Sequence, residues 1–307
     1  MNALKKVFFR PPFIGLLGFI VVLFVQAIGH TVMILMENVF GEEYVYQSAT
    51  VMGLFGAVLL YIGMKHPKEI SGTWLGFFAG TFLWTGWVEF AFVWNATWLG
   101  VADGVDPVTG DLSTKGEYFV MMSSLGTMMA TLAYFTLNKE TKCNFFHWIQ
   151  RRMGLSTGRP TPGYPRNFAA ITCLETIYVI WFCYLLLLFI YEILGDTSPW
   201  AYGLFFFNTI WAIYLLQRLV KFWKVTTAIR YAIPTAIITW NTIELLGRWN
   251  LFEEIWIHPE KYWLEMSMVF GAFVIVVVIS MLTPKDAKKT FEMEKGKKGY
   301  EQEQGDG

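Results

Sequence analysis

Two glutamates interrupt stretches that are otherwise strongly apolar: Glu89 in FLWTGWVEFAFVW and Glu244 in IITWNTIELLGRW. A carboxylate in hydrocarbon costs about 2.5–3.5 kcal/mol on insertion scales unless it is protonated, paired or turned to water. Two kinds of chemistry follow. The plain one is a protonated carboxyl that hydrogen-bonds a neighbouring helix and holds a bundle together. The active one is an acid that carries protons, binds a cation or contacts a quinone. Arg248 follows Glu244 by four residues, on the same helix face, and is a ready partner for it. Glu89 has Val93 in that place.

Gln26, His30, Met33 and Glu37 fall on one stripe at helical spacing, and His30 and Glu37 are nearly two turns apart. His, Met and Glu are capable ligands for copper or another metal ion, although the same stripe also reads as packing. Glu192 lies near the end of another apolar run, as Glu37 does, where an interfacial carboxylate costs little. Glu175 sits about nine residues into a later apolar run. It is read either as an ion-pair partner of Arg218 or Arg230, or as a step in an inward proton path.

These residues require long helices to hold them. The chain has 307 residues, 55% hydrophobic and 18% aromatic, with 16% charged. A soluble domain carries closer to 25% charged residues. Eight segments are long enough, or nearly so, for a hydrocarbon core about 30 Å thick: 12–36, 46–64, 72–96, 117–137, 167–192, 199–220, 231–249 and 263–283. The seventh is the least apolar, with Pro234, Asn241 and Glu244 inside it. The short basic N-terminus followed by an apolar run is read as a retained first span, since no small-residue cleavage site follows.

Lysine and arginine set the orientation. Of the 24, only Lys115, Arg248 and Lys261 fall on one side of the eight-helix alternation. The expected topology therefore has both termini in the cytoplasm. The acids Glu42, Glu43, Asp103, Asp106, Asp111, Glu117, Asp196, Glu253, Glu254, Glu260 and Glu265 lean to the outer face. They are expected either to solubilise the outer loops or to attract cations or a basic soluble partner. Trp94, Trp98, Trp200, Trp249 and Trp256 are assigned to interfacial aromatic belts.

The two halves echo each other. Placing Glu89 on Glu244 also places Trp94 on Trp249, Asn95 on Asn250 and Glu37 on Glu192, a shift of 155 residues throughout. A glycine follows shortly after each of the latter pair, Gly41 and Gly195. At the same shift His30 falls on Leu185 and Glu175 on Ile20. The expected fold is all-α and integral to the membrane, with eight transmembrane helices as two parallel four-helix repeats related by an axis along the membrane normal. Its parts are 1–142 (first repeat), 143–165 (a cytoplasmic interfacial helix and a Pro/Gly-rich linker), 166–283 (second repeat) and 284–307 (a polar tail, expected to be disordered).

Several classes are disfavoured. Net charge is zero and nothing suggests nucleic-acid binding. The three cysteines form no CxxC pair and are expected to be free thiols. Three of the four histidines lie at or beyond span ends, which argues against an intrinsic bis-His haem. The leading expectation is a subunit of a larger membrane assembly in a bacterial inner membrane, respiratory or redox in role, with its acidic outer face meeting a soluble partner or quinone. The helix plan resembles that of the quinone-reactive anchors of polysulfide-reductase-type complexes, a likeness of layout without a shared motif. The alternative is a proton- or cation-coupled transporter using Glu89 and Glu244; a membrane metal enzyme is third.

Overall fold

The computed structural model describes residues 10–105, 112–138, 144–155, 163 and 166–281. The tail and most of the linker expected from sequence, together with Cys143, lie outside the described residues. Among the described residues two helices come first, α1 (Phe13–Gly41) and α2 (Glu43–Lys65). The corner between them is Gly41, at φ 59° and ψ −174°. That backbone conformation strains any residue with a Cβ, so glycine is the residue that turns there.

Helix α3 (Glu69–Leu99) follows, with a π-helical stretch Trp84–Glu89 inside it. A short antiparallel pair, β1 (Gly104–Val105) and β2 (Leu112–Thr114), leads to α4 (Gly116–Met122) and α5 (Leu125–Leu137). Then come α6 (Asn144–Arg152), α7 (Phe168–Leu194), α8 (Pro199–Leu219), α9 (Val225–Arg248) and α10 (Trp263–Met281). Six of these, α1, α2, α3, α7, α8 and α10, are long and apolar enough to cross a membrane, or seven if α4 and α5 form one bent span. Helix α9 has 24 residues but falls short of that apolarity, because Arg230, Asn241, Glu244 and Arg248 lie within it.

Helix α9 is also the most enclosed element. Val225, Ala228, Ile229, Ala232, Ile233, Ala236 and Ile237 are all at most 2% exposed. It packs on α1, α3, α7 and α8. A helix covered on most sides needs little apolarity toward lipid, which is why its sequence reads weakest. Pro234 lies in its interior and the helix continues through it.

Small residues bring the other helices together, as packing between apolar helices requires. Gly76 and Gly80 of α3 lie against the backbone of Ala169 and Cys173 in α7, and a side chain at either would run into those atoms. Gly76→Val is expected to destabilise the fold by about 1–3 kcal/mol, the usual cost of overpacking. A lowered melting temperature in detergent checks this. Capping fixes where α7 and α8 begin. Asn167 accepts from the Ala170 amide at 3.0 Å and donates to the Met64 carbonyl at 3.3 Å, tying the start of α7 to the end of α2. Ser198 accepts from the Ala201 amide at 3.3 Å, with Pro199 in the first turn.

Three expectations need correction. The segment 117–137 is two helices bent by 40°, not one. At the break the Ser123 and Ser124 hydroxyls donate back to the Val120 and Met121 carbonyls, both at 2.6 Å, a bonding pattern that bends helices. The first helix runs on to Gly41 and the second starts at Glu43, so both extend beyond their apolar cores. Trp256 is not a belt residue: it is 9% exposed and packs inward. Trp94, Trp98 and Trp200, in contrast, are exposed.

One end of the bundle carries Lys65, Arg166 and Lys221. The other carries Asp103, Asp196, Glu253, Glu254 and Glu260. These are the basic and acidic ends below.

Candidate functional site

Glu89 and Glu244 meet at one cavity. It lies between α1, α3, α7 and α9 and holds about 50 Å³ of space. Its lining includes Gln26, His30 and Met33 of α1, Thr81, Trp84, Thr85 and Glu89 of α3, Cys183 and Tyr184 of α7, and Trp240, Asn241 and Glu244 of α9. That volume accommodates on the order of three or four waters. Ligand pockets run to roughly 300–1,000 Å³, so the cavity is small for an organic ring such as a quinone head.

Each acid is held by a different neighbour. Glu244 Oε1 accepts from the Trp240 indole N–H at 2.6 Å, one helical turn away on α9. The same oxygen lies 3.4 Å from His30 Nε2. The His30 ring stacks on Trp240 with centroids 5.7 Å apart. Glu89, 8% exposed, accepts from the Tyr184 hydroxyl at 3.2 Å. Tyr184 in turn packs beside Trp84 and Tyr118, at 6.2 and 6.1 Å between ring centres. Glu89 closes the π-helical stretch of α3, whose wider turn shifts the register of the residues after it. Such turns recur at functional sites.

Below the cavity, toward the basic end, the packing is apolar. Val21, Val22, Phe77 and Ile233 are fully buried there. Beyond that layer lies a second, half-buried ion pair. Arg230 Nε donates to Glu175 Oε2 at 2.8 Å, and Arg230 Nη2 donates to Glu175 Oε1. Of the two partners expected for Glu175, the structure thus places Arg230 on it. The pair joins α7 to α9 and stands apart from the cavity lining.

The remaining sequence candidates divide. His30 and Met33 line the cavity, but Glu37 does not. Among the described residues no group of three His, Cys, Asp or Glu side chains is arranged to hold a metal ion. Arg248 lies 3.9 Å from Glu192 and 3.4 Å from Asp196, and its guanidinium covers the Tyr191 ring at 5.0 Å. It therefore ties the end of α9 to the end of α7, which the expected pairing with Glu244 did not foresee. Cys173 and Cys183 are buried free thiols.

Sequence reasoning missed Tyr184 and Asn241 as wall residues and the role of Trp240. For Trp240 and Asn241 a signal existed, since Trp240-Asn241-Thr242 is a polar stretch inside a span. Tyr184 carried none, because a tyrosine in an aromatic-rich helix looks like packing.

No protein family, curated protein or solved structure matches this chain.

Proposed function

We propose that this protein moves protons, alone or coupled to another solute, across a bacterial inner membrane, and that the cavity of Glu89, His30 and Glu244 is where the proton is bound. The observation that carries this reading is the convergence of two intramembrane carboxyls and the one histidine within the spans on a single small cavity. Carboxyl and imidazole groups around water form a short relay of acids and bases, the usual makeup of proton paths in membranes. His30 and the Trp240 N–H give the Glu244 carboxyl polar partners inside the bundle.

The full architecture belongs to the same proposal. With α4–α5 and α9 counted, eight crossings place both termini in the cytoplasm and the acidic end outside. Duplication is supported by the matched Glu89 and Glu244 facing one cavity from α3 and α9. It is also supported by Gly41 and Gly195, both at positive φ, each turning the chain after its matched glutamate.

The reading of the protein as a respiratory subunit drew on few breaks within spans, heavy aromatic packing and the paired acids, and in part on outer acids available to a partner. Several have work within the chain: Glu192 and Asp196 with Arg248, Glu253 with Lys261, Glu117 with Lys115, and Asp103 with the Gly116 amide. This favours proton handling over docking.

The test is purified protein in sealed vesicles loaded with a pH-reporting dye, under an imposed pH step with potassium or sodium gradients of either sign. Protein-dependent proton movement under at least one gradient is expected. None under any of them would overturn the proposal.

A further inference from the structure

On its acidic side the segment 249–262, between α9 and α10, packs against the cavity wall at Trp240. Two contacts seat it, and a third is internal to it. The Thr31 hydroxyl donates to the Trp256 carbonyl at 2.9 Å, which draws the segment down onto α1. The Trp256 ring lies 4.7 Å from the Trp240 ring at a tilt of 53°, so Trp256, Trp240 and His30 form a continuous row of rings from the segment to the cavity. The Trp256 indole N–H donates to Glu254 Oε2 at 3.1 Å.

Glu254 is thereby turned inward. Its carboxyl lies directly over Gly247 of α9, in space that any side chain at that position would fill. It keeps partial contact with solvent while the Trp256 beside it is buried. Burial and the nearby Glu244 charge push the Glu254 carboxyl above the ordinary range, while His30, the Trp256 indole and Arg248 pull it back. The titratable and charged groups facing it are thus His30 of α1 and Glu244 and Arg248 of α9.

We infer that the segment 249–262 is the outer gate of the cavity and that Glu254 is its proton port, passing protons between outside water and the His30–Glu244 pair. This rests on the proton-handling reading above. In the inward step Glu254 takes a proton from water and becomes a neutral carboxyl. It then releases that proton to the Glu244 carboxylate or the His30 imidazole and returns to its charged form. No other reactant is needed. Gly247 is part of the device, because only a residue without a side chain leaves Glu254 its place.

Two measurements on the full chain test this. In the vesicle assay Glu254→Gln, which cannot carry a proton, is expected to slow proton movement by about tenfold or more. Glu254→Asp restores most of the rate, and both variants melt near the wild type. The second measurement reads the cover without reference to protons. In a Cys143→Ser, Cys173→Ser background, Trp256→Ala should raise the rate at which a small water-soluble thiol reagent modifies Cys183 from the acidic side by about tenfold. Wild-type movement with an unchanged Glu254→Gln rate overturns the port alone, and an unchanged Cys183 rate in Trp256→Ala overturns the gate. Absence of proton movement in the wild type overturns the proposed function, and the Cys183 result still decides whether the segment is the cover.

Discussion

Glu244→Gln is expected to reduce protein-dependent proton movement by on the order of 100-fold, the usual weight of a positioned proton-transfer group. The substitution preserves shape: the amide oxygen still accepts from the Trp240 indole N–H, a bond of 2.6 Å in the native protein. What it removes is a group that binds and releases a proton 3.4 Å from His30. The variant should therefore fold and melt close to the wild type while losing flux. Glu89→Gln is the companion case, since its amide oxygen keeps the Tyr184 hydroxyl. Vesicle flux and tryptophan-monitored melting, run side by side, separate a lost relay from a lost fold. Full flux in Glu244→Gln would place the proton elsewhere.

The largest stability effect is expected at the other ion pair. Glu175→Ala leaves the Arg230 guanidinium in the bundle without the carboxylate that meets it through two nitrogens. Breaking a buried pair from one side costs about 3–5 kcal/mol. Here each side chain keeps about a fifth of its exposure, 21% for Glu175 and 20% for Arg230, so the lower end of that range, about 3 kcal/mol, is expected. Replacing both, Glu175→Leu with Arg230→Leu, should recover most of it, because an apolar pair of similar volume often equals an ion pair in stability. The double variant also settles the second sequence reading of Glu175. Retained proton movement marks the pair as structural, and loss of movement with a normal melt marks it as a step in the path.

Much of this site was legible in the sequence because intramembrane acids are expensive. Glu89, Glu244 and Glu175 stood out by cost alone, and the 155-residue shift tied the first two together before any geometry. The stripe of Gln26, His30 and Met33 was visible through helical spacing, yet spacing could not say that it faces Glu244 rather than a metal ion. Partner choice was the weak point. Arg248 is one turn from Glu244, but the turn at Gly195 brings Asp196 and Glu192 within its reach, a tertiary fact. Glu254 and Trp256 were hidden for the same reason. An acid and a tryptophan in an outer segment read as solvent-facing and interfacial, and only the Thr31 bond and the bare backbone at Gly247 turn them inward. The bend between α4 and α5 was missed because two serines in an apolar run do not disturb its composition.

Pro234 gives α9 a mechanical character. It stands between Arg230, anchored to Glu175 near the basic end, and Glu244, which faces the cavity. Proline removes the N–H that would bond the carbonyl four residues earlier, so a helix is most easily flexed there. Arg230 clamps one side of this point and Arg248 holds the far end of the helix, with Glu244 between the two. A small angular change at the pivot would alter the separation of Glu244 and His30, 3.4 Å in this structure. The proton affinity of the site and the posture of α9 would then be two readings of a single coordinate.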